Sequence, residues 1–200
     1  MLRKGRPTEG QVAIKVQYPD ALEIMKQDLG NIRTWAKFLS KTEIQFDLVS
    51  AVNELRKQIE LEFDFTREAR VMDAIALALQ PINKRVAVPQ SVPGLVTKQM
   101  LIMSFMDGIP LRDLSKRVAS LSLRKQRKAK ERILRRLCEA YGKMIFGDGL
   151  FQADGHPGNI LVQKKARIAL LDYGQSKKLH TDEVRKRSEE HTSELQSHLN

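Results

Sequence analysis

With one cysteine, Cys138, among 200 residues, the chain can form no internal disulfide, which suits a reducing compartment such as cytosol, mitochondrial matrix or plastid stroma. Long apolar runs are also missing: nothing approaches the roughly 18 residues needed to cross a bilayer, and Val71 to Leu79 is short and broken by Asp73. Met1 to Pro7 shows neither an apolar h-region nor a Ser/Arg-rich amphipathic segment, so no targeting peptide is visible there. Aromatic residues are sparse at 6%, and no stacking platform or base-reading motif accompanies the basic ones, which argues against nucleic acid as a partner. No internal repeat is present.

At 42% hydrophobic and 30% charged, the chain can bury one substantial core or two small adjoining lobes. Much of the formal net charge of +11 lies between Arg117 and Arg136, where Arg124, Lys125, Arg127, Lys128, Lys130, Arg132, Arg135 and Arg136 surround an apolar stripe. A solvated helix face explains this most simply, and a surface for anionic lipid headgroups is the second reading. Cys138 sits on that stripe and is expected to be a buried, space-filling thiol.

Gln11 to Val16 is a β-branched run closed by Tyr18-Pro19 and reads as a strand. Three helices follow. The first opens at Pro19-Asp20 with Leu22, Met25, Leu29, Ile32, Trp35 and Leu39 on one face, the second spans Phe46 to Glu60, and the third spans Thr66 to Leu79. Val86 to Val88 and Val96 to Met103 read as strands separated by a turn at Pro93-Gly94. Ile133, Leu134, Leu137, Cys138, Tyr141 and Ile145 predict a long helix ending at Gly147. A turn-rich loop and two short strands, Ile160 to Val162 and Ile168 to Leu171, come next.

Val12-Ala13-Ile14-Lys15 has the form of the kinase strand whose lysine bridges nucleotide phosphates as a point charge, although alone it is weak, because a strand-end lysine is usually a solvated edge residue. Asp154 and Asn159, with four residues between them in Asp-Gly-His-Pro-Gly-Asn, keep the spacing of a kinase catalytic loop, and Asp172-Tyr-Gly174 follows a hairpin strand as a metal-binding triplet would. Phosphoryl transfer needs Mg²⁺ held by hard oxygens, which Asp172 and Asn159 can supply, and a carboxylate such as Asp154 to orient or deprotonate the attacking hydroxyl. Each piece could be a set of turn residues. Their joint order and spacing argue otherwise. Met100 to Gly108 would be the hinge, with Met103 and Phe105 against the adenine or simply in the core.

Taken with Glu62-Phe-Asp64 and Glu68-Ala69, these motifs resemble the UbiB, or aarF-domain-containing, family of atypical protein-kinase-like proteins, over about residues 10 to 182. The resemblance implies an α+β, two-lobed kinase-like fold with an extra helical insertion in the small lobe, binding of ATP with Mg²⁺, and a role in quinone or prenyl-lipid metabolism. It also implies that Lys15 pairs with a glutamate at the position of Glu68, and that Glu62 and Asp64 belong to a module packed over the site. Helix geometry adds that Glu62 and Glu68, about 600° apart on a continuous helix, cannot both face Lys15. Gly155 stands where the family usually has proline, and Tyr173 where it usually has phenylalanine.

The expected organisation is a small lobe over 1–104, the start of a large lobe over 105–182, and an adapter-like, non-native tail over 183–200, the domain being truncated at both ends. The implied activity is that of an atypical kinase or ATPase. A non-catalytic nucleotide-binding regulator of a lipid-biosynthesis complex is the alternative. Expected partners are a nucleotide, a lipid or quinone-like small molecule, and a membrane surface met through basic residues, in a mitochondrion or chloroplast.

Overall fold

The computed structural model describes residues 10–40 and 47–179. The adapter-like tail and Phe46 lie outside the described residues. Strand β1 (Val12–Val16) alternates: Val12, Ile14 and Val16 face outward, and Ala13 and Lys15 inward, as a half-covered strand requires. It pairs antiparallel with β4 (Met100–Ser104), which pairs with the edge strand β3 (Ser91–Val96).

Between β1 and β3 run α1 (Ala21–Leu39), α2 (Leu48–Glu62) and α3 (Phe65–Ala78). Asp47 caps α2 by accepting from the Ser50 N–H at 3.0 Å. Asp64 caps α3 by accepting from the Thr66 N–H at 3.0 Å. Helix α3 lies beneath the sheet and buries Phe65, Glu68, Ala69, Met72 and Ile75. Helices α1 and α2 pack chiefly on each other through Leu29, Ala36 and Val52. The apolar face expected of α1 is therefore largely open, with Ile32 and Trp35 exposed.

A second sheet has the order β2-β8-β7-β5, formed by Val86–Ala87, Ile168–Leu170, Ile160–Val162 and Ile109–Pro110. Strands β7 and β8 are buried at every position, so they read as continuous apolar runs rather than as alternation. After β5 come the short α4 (Leu114–Val118) and then α5 (Leu123–Lys143). A π-type turn at Met144–Asp148 extends α5, closed by Gly149 in the left-handed region at φ 67°. Strand β6 (Leu150–Gln152) pairs with β9 (Ser176–Lys178).

Three expectations change. Pro93-Gly94 is not the turn but part of β3, where the register against β4 shifts; proline is tolerated because β3 is an edge. The reversal lies at Thr97–Gln99, where the Thr97 hydroxyl accepts from the Met100 N–H at 3.0 Å, so the expected strand Val96 to Met103 is divided between β3 and β4. The Val86 strand does not join the β1-β4-β3 sheet and lies parallel to β8 instead. Cys138, finally, is exposed: α5 turns Ile133, Ala140 and Met144 to the core and leaves Leu134 and Cys138 outside.

Candidate active site

Sequence neighbours cannot build this site; β1, α3, the loop after β6 and the loop after β8 converge on it. Lys15 enters from the inward face of β1, and its ammonium lies 2.9 Å from both carboxylate oxygens of Glu68 and 3.3 Å from Asp172 Oδ1. Glu68 is only 2% exposed, so its charge requires compensation, which Lys15 and the Tyr173 N–H, donating at 3.2 Å, provide. Burial alone would lower the Lys15 pKa, but the Glu68 carboxylate and then Asp172 outweigh it and hold the ammonium above its usual value. The ring of Phe65 lies beneath the ammonium at 5.2 Å from its centroid.

Asp172 adopts the left-handed conformation, φ 60°, uncommon outside glycine, and its Oδ1 accepts from the Gly174 N–H at 3.2 Å. Across the cleft, the Asn159 side-chain N–H donates to Asp154 Oδ2 at 3.1 Å, while the Asn159 carbonyl accepts from the Leu171 N–H at 2.8 Å. The two loops are tied again where the Ala153 N–H donates to Gln175 O at 2.7 Å. Lys15, Glu62, Phe65, Asp154 and Asp172 line the resulting cleft, whose volume is about 300 Å³.

Lys15, Glu68, Asp154, Asn159 and Asp172 are thus brought together, with Glu62 at the cleft wall. Three sequence candidates are placed differently. Asp64 is absent from the cleft lining and its Oδ1 is committed to capping, accepting from Thr66 and Arg67; the Thr66 hydroxyl holds its carboxyl below the ordinary value. Met103, paired with Ala13, packs against the main core, and Phe105 donates its N–H to Gln11 O; neither lines the cleft.

Sequence reasoning missed two tethers. Arg67 donates to Gly174 O at 3.0 Å and Ser176 O at 3.1 Å, anchoring the segment after Asp172 to α3. Its position directly before Glu68 was the available signal. Gln152, two residues before Asp154, is 1% exposed and donates to the carbonyls of Leu171 and Asp172, while its own carbonyl accepts from the Tyr141 hydroxyl at 3.1 Å.

The sequence profile of the ABC1 atypical kinase-like domain matches residues 3–195. The chain belongs to the ABC1 atypical kinase-like family. ABC1 relatives include the AarF domain-containing protein kinase 1 of Gallus gallus, 31% identical over an alignment of 168 residues that covers 82% of this chain and 31% of the relative. The Mus musculus protein of the same name is 32% identical with the same coverage. The chloroplastic Protein ACTIVITY OF BC1 COMPLEX KINASE 8 of Arabidopsis thaliana is 29% identical over 82% of this chain and 22% of its own length. Among solved structures, the Rv3197–erythromycin complex from Mycobacterium tuberculosis matches with TM-score 0.68 and 26% identity, covering 84% of this chain and 40% of that one. This ABC1 chain thus spans about a third of the length of the animal relatives, and it shares the α+β kinase-like fold.

Proposed function

We propose that the protein is an ATP- and Mg²⁺-dependent atypical kinase or ATPase acting in quinone or prenyl-lipid metabolism. The observation that carries this reading is the Lys15–Glu68 pair, formed at 2.9 Å with Asp172 within 3.3 Å of the same ammonium. In that arrangement Lys15 is held as a fixed positive charge for nucleotide phosphates, and Glu68 keeps it from swinging away. Asp154, oriented by Asn159, is the acceptor for the proton of an attacking hydroxyl or water.

The donor set fits Mg²⁺. Asp172 and Asn159 offer hard oxygens, and no group of three or more His, Cys, Asp or Glu side chains forms a metal cage among the described residues. That suits an ion which keeps most of its ligands as water and phosphate. Bound there, Mg²⁺ would supply neutralisation of phosphate charge. The chloroplastic relative supports an organellar location, and the exposed basic residues of α5 support contact with an anionic membrane surface.

The test compares two variants. Asp172→Asn should lower Mg²⁺-dependent nucleotide turnover by about three orders of magnitude, about 4 kcal/mol of barrier. Cys138→Ser, at an exposed position away from the cleft, should leave it within about twofold, the range of an ordinary surface change. Equal loss in both would mean that the variants report stability rather than chemistry.

A further inference from the structure

Gln152 is a buried amide with all three bonds satisfied, and the bonds can be made in only one orientation. Its nitrogen donates to the carbonyls of Leu171 and of Asp172, the latter at 2.7 Å, and its oxygen accepts from the Tyr141 hydroxyl at 3.1 Å. Rotated by half a turn, the amide would set its oxygen against two carbonyl oxygens, which cannot donate. The two carbonyls therefore set the orientation in which Gln152 holds Asp172, and the Tyr141 hydroxyl braces it by donating to the amide oxygen. The phenol itself is admitted by Gly155, where a Cβ would stand 2.8 Å from the Tyr141 oxygen. Gly155 directly follows Asp154, so one small network touches both chemistry-bearing loops. It grips Asp172 at a backbone that sits at φ 60°, a conformation that persists only where surrounding bonds enforce it.

We propose that Gln152 and Tyr141 are a positioning pair that fixes Asp172 in its metal-binding orientation. The proposal rests on the reading of Asp172 as a Mg²⁺ ligand, and it predicts a defect in metal use rather than in nucleotide capture, because Lys15 is untouched. The experiment measures binding of a fluorescent ATP analogue with excess EDTA and then across a Mg²⁺ titration, with thermal melting to establish folding. Gln152→Glu keeps the shape and loses both donors. Its half-saturating Mg²⁺ concentration should rise about tenfold, the size typical of losing a group that orients a metal ligand. Tyr141→Phe should raise it about threefold, as one hydrogen bond would. Gly155→Ala, which displaces the phenol, should behave like Tyr141→Phe. Affinity in EDTA should stay within about twofold of wild type in all three.

Should Gln152→Glu fail to fold, Tyr141→Phe and Gly155→Ala carry the test. Folded variants with an unchanged Mg²⁺ requirement would overturn the proposal and leave the pair a purely structural bond. Asp172→Asn is the control: a wild-type Mg²⁺ response there would mean that the metal reading itself had failed, a result the pair variants alone do not give.

Discussion

Helix α3 and the α1–α2 hairpin come from one stretch of chain and carry the same amphipathic signature, yet they end in different surroundings. Over 14 residues α3 buries Phe65, Glu68, Ala69, Met72 and Ile75, because the sheet lies over it and Tyr173 reaches it from the far loop. Over 34 residues the hairpin buries Leu29, Ala36 and Val52, and leaves Trp35 and Phe38 outside, their rings edge-to-face at 6.2 Å. Periodicity reports that a helix has an apolar face; it does not report what covers that face. The helix that supplies Glu68 belongs to the core of the fold, and the hairpin is attached to it.

Core truncation gives the largest expected contrast. Ile75 is 0% exposed and Trp35 is 67% exposed. Ile75→Ala should destabilise by about 3–4 kcal/mol, and Trp35→Ala by less than about 1 kcal/mol. Chemical denaturation measures both; losses of similar size would show that the hairpin face is covered in solution. Next come two glutamates. Glu68→Gln weakens a buried pair whose lysine is one-third exposed, at about 2 kcal/mol, while Glu60→Gln removes only the exposed i,i+4 pair with Arg56 at about 0.3 kcal/mol. Double-mutant cycles with Lys15→Met and Arg56→Met read the two couplings directly, and a coupling at Glu60 as large as that at Glu68 would erase the distinction.

The smallest effect is a pH slope. Burial pushes the Tyr173 phenol well above its ordinary value, and its hydroxyl donates to Leu170 O at 3.0 Å. A group raised in the folded state contributes stability that is complete below its unfolded pKa, near 10.0 for Tyr173, and fades as pH climbs through the folded value. Lys15, also raised, behaves likewise above 10.5. Tyr173→Phe should lose about 1 kcal/mol at pH 8 through the missing hydrogen bond, yet decline less steeply between about pH 10 and 11. Parallel melting curves for both proteins across that range would contradict the assignment.

The residues that meet in the cleft were largely legible in the sequence, since Lys15, Glu68, Asp154, Asn159 and Asp172 each carry chemistry that restricts residue type and spacing. The resemblance points to Glu68 as the partner of Lys15, helix phase adds that Glu62 cannot share that role, and the 2.9 Å pair agrees. What stayed hidden depends on partners distant in sequence. Cys138 and Ile133 look alike on the helix pattern, and only packing on the side of β8 separates them. Pro93-Gly94 carried the stronger turn signal, but an edge strand can absorb both residues, and the Thr97 hydroxyl closes the actual turn. The resemblance sets Asp64 in the module over the site, while its Oδ1 caps α3, a task open to the same residue type.

The parallel pairing of β2 with β8 sets Val86 beside Ile168 and Ala87 beside Ala169. Nearby, Arg167 donates to Asn83 O at 2.8 Å, so the attachment reaches beyond the strand itself. A piece of chain that precedes β3 and β4 is thereby woven into the sheet formed after them. Cutting the polypeptide after Ser104 would not yield two self-contained halves: the first would carry an orphaned strand and the second a bare sheet edge. Mixed together, such halves should reassociate through β2 and through the bonds of Lys15, Arg67 and Glu68 to the loop after β8, and reconstitution of this kind would make a minor two-residue strand part of the seam between the two sheets.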